Sequence, residues 1–434
     1  MWPYRSRVGH RAVLLATAGV LLAGCSAGGG SSAGNDTGAT STTTAVGRTS
    51  SGTSSGTPDD TSGTTTGAPA GPTDSATHSA SSSPSRSNAA PKPAGSVTVA
   101  VSGDEIPHAA ILSTARRGSG WDFDPMFAQV APTIRGADVA ICQLETPLGA
   151  SGANLSHGFV MGAPAAFGTG LRRAGFDGCS TANNHTFDQH LAGVRDTRRI
   201  MAQLGLRAAG PGADATHPGQ PAFYRAKGFT IAQLSYSYTL DNTVGNTTHI
   251  PPEAPWSARN LYDVIGVSGI EADARAARAR GADLVLVSMH WGEEQDQKPT
   301  ADQHRMAREL LSSGAVDYII GNHPHVVQPC QRIHGRMVNY SLGNALSDQT
   351  PGIVAYGGRK STDAVQDGVI ALVTFHRNSA GKVTSTERFQ PTRVDRANGY
   401  VIRPVSKASD PASWQRTSSV IRSGGDSCAA TPIS

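Results

Sequence analysis

The chain has 434 residues, a formal net charge of +4 and a charged fraction of 16%. That length allows more than one domain. The small positive balance comes with no basic stripe and no lysines interleaved with aromatics, which argues against nucleic acid as a partner.

The chain opens MWPYRSRVGHRAVLLATAGVLLAGC. Arg5, Arg7 and Arg11 precede a short apolar run, and small residues follow. This is the layout of a secretory signal, too short for a spanning helix. The run ends in Leu22-Ala23-Gly24-Cys25, which resembles a bacterial lipobox. Residues 1–25 are therefore expected to be a lipoprotein signal peptide. Acyl chains on Cys25 would hold the mature protein at the outer face of the cell membrane. The alternative is an ordinary signal peptide with an incidental cysteine. Residues 26–94 are nearly all Ser, Thr, Gly, Ala and Pro. Such a stretch buries too little apolar surface to offset its ordering entropy, so a disordered tether is expected. Residues 95–434 have the composition of a folded domain.

Within that domain, five apolar runs end in a polar donor. SVTVAVSGD ends in Asp104, and ADVAICQLE in Glu145. FDGCSTANNH ends in Asn184 and His185, and GADLVLVSMHWG contains His290. GAVDYIIGNHPH ends in His323 and His325. Short, continuously apolar runs predict strands buried on both faces. Between them, PAAFGTGLRRAG, LAGVRDTRRIMAQLG, GIEADARAARARG and ADQHRMARELLSSG have helical periodicity and close on glycine. Strand and helix in alternation predict a largely parallel sheet, with ligands beyond the carboxyl ends of its strands.

Acid, amide and imidazole crowded at one edge are costly without compensation. Metal ions supply it. This donor set suits zinc, manganese or iron, and the lack of thiolate argues against a structural zinc site. One carboxylate can bridge two ions. Pro324, between the two histidines, biases His323 away from helical backbone angles.

Outside Cys25 there are four cysteines, and in an exported protein an even number suggests disulfides. Cys428 lies in a polar tail with little else to hold it, so a Cys330–Cys428 bridge is the expected pairing. Cys142 and Cys179 sit inside apolar runs and read as buried free thiols.

The order GD, QLE, NNH, HWG, GNHPH, YSLGN resembles the bacterial CapA-type poly-γ-glutamate capsule-synthesis proteins, relatives of the calcineurin-like metallophosphoesterases. The resemblance runs from Val97 to Asn344. It implies an α/β fold of four layers, α/β/β/α, with two packed mixed sheets. The later runs GVIALVTFH and KVTSTERFQPTRV are then expected in the second sheet. Carried over residue by residue, Asp104 is the first metal ligand, Glu145 the bridging acid and Asn184 the amide ligand. His290, His323 and His325 are the imidazole ligands of two divalent ions. His185 is the residue that contacts substrate and protonates the leaving group. Asp188, three residues on, either holds the tautomer of that imidazole or is a solvated first-turn acid. Trp291 and the Ser341–Asn344 stretch either line the pocket or pack.

The chain departs from the pattern in two places. Ile106 stands where metallophosphoesterases carry a histidine, which leaves one metal short of a protein ligand unless His108 replaces it. Gln143 stands where the capsule family more often has asparagine, which puts a supporting contact in doubt.

The ligand set implies a two-metal hydrolase or transferase, in its widest form a general extracytoplasmic metallophosphoesterase. The family setting implies synthesis, export or attachment of poly-γ-glutamate or a related anionic polymer, beside capsule or cell-wall assembly proteins. A non-catalytic polymer-binding protein would fill that setting too.

Overall fold

The computed structural model describes residues 93–433, except residues 220, 246, 356–357 and 425–427. The signal peptide, Cys25 and residues 26–92 of the Ser/Thr-rich stretch lie outside the described residues.

Strand β1 (Gly95–Glu105) is buried on both faces from Val99 onward. It is the middle of a nine-stranded sheet. On one side lie β4 (Val139–Leu144), β5 (Gly178–Ser180) and β6 (Arg207–Ala209), all parallel. On the other lie β14 (Asp367–Arg377), β15 (Val383–Asp395) and β16 (Val401–Pro404), all antiparallel. Strand β13 (Asn344–Leu346) joins the far end of β1, and β17 (Thr431–Pro432) pairs with β15. A separate ribbon pairs β2 (Arg116–Arg117) with β3 (Gly120–Trp121).

The second sheet has six strands. At its centre β8 (Phe229–Ser237), β9 (Leu284–His290), β10 (Tyr318–Asn322) and β12 (Arg336–Asn339) run parallel. Its edges, β7 (Ala222–Ala226) and β11 (Cys330–Ile333), are antiparallel.

Side chains alternate across each strand, which sorts the core into layers. Val97, Val99 and Val101 of β1 meet Leu284 and Leu286 of β9, with Ile231 and Tyr318, between the sheets. Ala100, Ala140 and Leu144 face outward. There they meet α1 (Ala109–Ala115), α2 (Asp124–Phe127), α3 (Ala131–Arg135), α4 (Ala165–Ala174) and α5 (His190–Gln203), through Ile111, Phe127, Ile134, Phe167 and Met201. On the far side, Val285 and Val287 meet α6 (Tyr262–Ala279) and α7 (Ala301–Ser312) through Ile270 and Leu310. The last helix, α8 (Pro411–Ile421), adds Ile421 to the layer between the sheets. The result is the four-layer α/β/β/α arrangement with two mixed sheets. Each fully buried Val or Leu contributes roughly 1.5–3 kcal/mol over leaving it in water.

Two expectations are corrected. GVIALVTFH and KVTSTERFQPTRV, expected in the second sheet, form β14 and β15 of the first, with β14 directly against β1. The five donor-bearing strands likewise do not share one sheet. Strands β1, β4 and β5 lie in the first, and β9 and β10 in the second. An apolar run specifies burial but not which neighbour it pairs with, so sheet membership was not readable.

Cys142 and Cys179 are not free thiols. Parallel register sets them opposite each other on β4 and β5, with Cα atoms 4.4 Å apart, and their sulfurs are joined. Cys330 of β11 and Cys428 are also bridged, with Cα atoms 5.6 Å apart. Among the described residues, no helix is long and apolar enough to cross a membrane.

Candidate metal centre

The carboxyl ends of β1, β4 and β5 of the first sheet and of β9 and β10 of the second meet at one place, and the site is built there from both sides. Asp104 sits at the end of β1, fully buried. Its Oδ2 accepts from the His323 main-chain N–H at 3.1 Å and lies 3.2 Å from His325 Nδ1. Glu145, just past β4, is fully buried as well. Its Oε1 lies 3.3 Å from His290 Nε2 and 3.9 Å from His325 Nε2.

The turn after β5 delivers the next pair. Asn183 ties it down, donating to Leu144 O at 2.7 Å and accepting from His185 N–H at 3.0 Å. That sets Asn184 Oδ1 2.8 Å from His290 Nε2. His185 Nδ1 meets Asp188 Oδ2 at 2.6 Å. Asp188 is buried and holds the imidazole, so the solvated alternative does not apply.

The second sheet supplies the other imidazoles. His290 ends β9, with its Nδ1 3.4 Å from the side-chain nitrogen of Gln143. Gln143 therefore keeps a supporting contact. In GNHPH, His323 and His325 adopt φ of +95° and +57°. Non-glycine residues rarely take positive φ, and each such position costs on the order of 1–3 kcal/mol. The surrounding chain holds the turn. Trp291 N–H donates to Asn322 O at 3.1 Å, and Leu342 N–H to Gly321 O at 3.1 Å. A Cβ on Gly321 would lie 1.9 Å from Tyr340 O, so only glycine lets β10 approach so closely.

Six side chains expected as ligands are thus brought together: Asp104, Glu145, Asn184, His290, His323 and His325. Five of them make two overlapping groupings, Glu145–His290–His323 and Asp104–Glu145–His325, with the ligand atoms of each within 4.8 Å of one another. Glu145 belongs to both. Buried oxygens Glu145 Oε1, Glu145 Oε2 and Asp104 Oδ1, and His323 Nδ1, have no hydrogen-bond partner among the described residues. Buried polar atoms left unpaired are costly, and divalent cations would compensate them. The donor set therefore fits metal.

Burial and neighbouring charges act differently on the individual donors. Burial, reinforced by Asp104, pushes the Glu145 carboxyl well above its ordinary range. Burial lowers His290 to about 3 and drives His323 well below its usual value. Imidazoles held neutral are the ligating form. Burial also opposes charge on His325, but Glu145 and Asp104 outweigh it and lift this ring to about 10.

His108 is half-buried, with Nδ1 3.0 Å from Ile106 O and 3.3 Å from the Asp348 main-chain nitrogen. It joins neither grouping, so the histidine displaced by Ile106 is not replaced from there. Trp291 is packed in the layer between the second sheet and its helices, donating to Tyr340 O at 2.9 Å. Asn344 Oδ1 lies 3.1 Å from His325 Nδ1.

Two neighbours were missed from sequence. The Tyr238 ring packs at a tilt against His323, with ring centroids 4.8 Å apart. Tyr238 lies one residue beyond β8, which ends in Ser237 without an acid, amide or imidazole, so that run gave no signal. Glu294 forms a third grouping with His323 and His325. Its place four residues after His290, in HWGEE, was the available clue.

Residues 98–349, more than half of the chain, match the family described as bacterial capsule synthesis protein PGA_cap. The chain belongs to that family. The PGA_cap match spans every donor described above, and the CapA-type resemblance read from the motifs is borne out. The PGA biosynthesis protein CapA of Bacillus subtilis (strain 168) is 30% identical over 226 residues, 52% of this chain and 52% of that protein. The capsule biosynthesis protein CapA of Bacillus anthracis is 31% identical over 211 residues, 49% of this chain and 46% of that protein. This PGA_cap chain thus spans about half the length of the curated relatives it matches. Among solved structures, the calcineurin-like phosphoesterase YfkN from Bacillus subtilis matches with a TM-score of 0.37 at 12% identity, covering 75% of this chain and 98% of that one.

Proposed function

We propose that this is a lipid-anchored, extracytoplasmic envelope protein that acts in the synthesis, export or attachment of poly-γ-glutamate or a related anionic polymer, through a dinuclear metal centre that hydrolyses or transfers. The observation that carries the chemical part is Glu145, shared by two donor groupings while neither of its oxygens has a hydrogen-bond partner among the described residues. Two divalent ions there, manganese, zinc or iron, would supply positive charge beside a reacting phosphoryl or acyl oxygen. The protein's own groups do the rest. His185, fixed through Nδ1 by Asp188, has Nε2 available to donate a proton to a departing oxygen. Burial disfavours its charged form, but Asp188 outweighs burial and raises its pKa. That favours the acid form near neutrality.

The polymer setting comes from the relatives, which are named for PGA and capsule biosynthesis. Capsule or cell-wall assembly proteins are the expected partners. Anchoring rests on Cys25. The deciding experiment measures metal content of the purified protein together with turnover of a chromogenic phosphodiester and of poly-γ-glutamate. Bound metal with turnover of either supports the proposal. Protein with no bound metal and no activity overturns its enzymatic part in favour of polymer binding alone.

A further inference from the structure

We infer that Glu294 is an additional ligand of this centre and completes the position framed by Asp104, Glu145 and His325. The inference rests on the metal-binding reading above and adds a residue to it.

The two positions are unequal. Glu145, His290 and His323 gain a fourth donor from Asn184, whose Oδ1 is 2.8 Å from His290 Nε2. Asp104, Glu145 and His325 gain nothing comparable. Ile106 presents buried hydrocarbon, and His108 joins no grouping. Three donors leave a divalent ion with an open coordination position. Glu294 has a carboxylate oxygen within 4.8 Å of a ligand atom of His325, which belongs to this position, and of His323, which belongs to the other.

The chain around Glu294 is fastened to the turn that carries those two histidines. Trp291 N–H donates to Asn322 O at 3.1 Å, and Gln295 N–H donates to Pro324 O at 2.8 Å. These bonds bracket Glu294. Gly292 at φ +90° and Gln295 at φ +62° shape the intervening bend. Beyond it, the Gln328 side chain donates to Asp296 O at 2.8 Å. Glu294 is half-buried, and among the described residues it makes no hydrogen bond and no ion pair. A carboxylate held in place without a partner, beside two imidazoles, matches what a divalent ion takes up. It also adds a hard oxygen donor, which shifts preference toward manganese.

The test titrates manganese into the purified full chain by calorimetry and follows the spin coupling of the bound pair by electron paramagnetic resonance. Wild type is expected to bind two ions and give a coupled spectrum. Glu294→Gln should keep one tight ion, weaken the other at least about tenfold, and lose the coupled signal, since even outer-shell changes at metal sites cost about 10–100-fold. Glu294→Asp keeps the charge but retracts the carboxylate, and should weaken the same ion. Glu293→Gln, the same charge change at the exposed neighbour, should leave both ions in place. Circular dichroism checks that each variant is folded. If Glu294→Gln titrates like wild type while His323→Ala loses metal, the inference fails and the metal reading stands. If Glu294→Asp alone titrates like wild type, a charge effect replaces ligation and the assignment is overturned. If wild type binds no ion, the inference and the reading fall together.

Discussion

Asp188 Oδ2 holds His185 Nδ1 at 2.6 Å and also accepts the Met161 main-chain N–H at 2.6 Å. The imidazole is fixed in tautomer and direction, with Nε2 left for a substrate. His185→Ala is expected to retain metal and lose turnover of a chromogenic phosphodiester by about 10²–10⁴-fold, most for poor leaving groups. Asp188→Asn removes the carboxylate that raises the His185 pKa. An acid catalyst works below its pKa, so the alkaline fall in the pH–rate profile should move to lower pH. An unshifted profile, with metal content unchanged, would rule out the positioning role of Asp188.

His323 contributes to two of the donor groupings. His323→Ala should sharply lower metal content by elemental analysis while far-ultraviolet circular dichroism stays native. Chelation of the wild type should lower its melting temperature, because an ion that binds only the folded chain stabilises it, by about 2.7 kcal/mol at a free concentration of 100 Kd. Equal metal content in mutant and wild type would dismiss His323 as a ligand.

Glu387 makes stability depend on pH far from the site. It lies buried on β15, accepting from Asn339 Nδ2 at 3.0 Å. Burial lifts its carboxyl from an ordinary 4.5 to about 7, against the opposing pull of Asn339 and Arg332. Between those values the unfolded chain has released a proton that the folded chain keeps. Stability from this group is therefore fully present below pH 4.5 and lost as pH rises through 7. At about 1.36 kcal/mol per unit the loss is on the order of 3 kcal/mol. Urea unfolding at several pH values should show this decline in wild type and its absence in Glu387→Gln. Parallel curves for the two would refute it.

Cys25 is expected to carry lipid. Cys25→Ser should free the protein from the membrane fraction or leave an uncleaved precursor. Partitioning into a detergent phase that ignores the substitution would count decisively against anchoring.

The six donors were legible because each lies at or just beyond the carboxyl end of an apolar run, and such runs are strands whatever they pair with. What they pair with was not legible. GVIALVTFH reads the same beside β1 as in the other sheet, and Cys142 meets Cys179 only through the register of β4 against β5. Glu294 escaped notice because a loop position has no periodicity to mark it. The positive φ at His323 and His325 escaped too, since side-chain type at those positions argues for the opposite. Ile106 was readable as a departure, but the neighbour that could make good the missing donor was not.

Oxygen donors Asp104, Glu145 and Asn184 all come from the nine-stranded sheet, and nitrogen donors His290, His323 and His325 all come from the six-stranded one. The centre is therefore a joint between two slabs. Its bite is set by how those slabs sit on the valine and leucine layer between them, in which Val99 and Leu286 take part. Interiors packed this tightly pass on small displacements instead of absorbing them. A methylene added or removed in that layer would slide one half of the donor set against the other, leaving every strand and every donor intact. If the proposed centre binds metal, its metal preference would then drift through substitutions that never touch it.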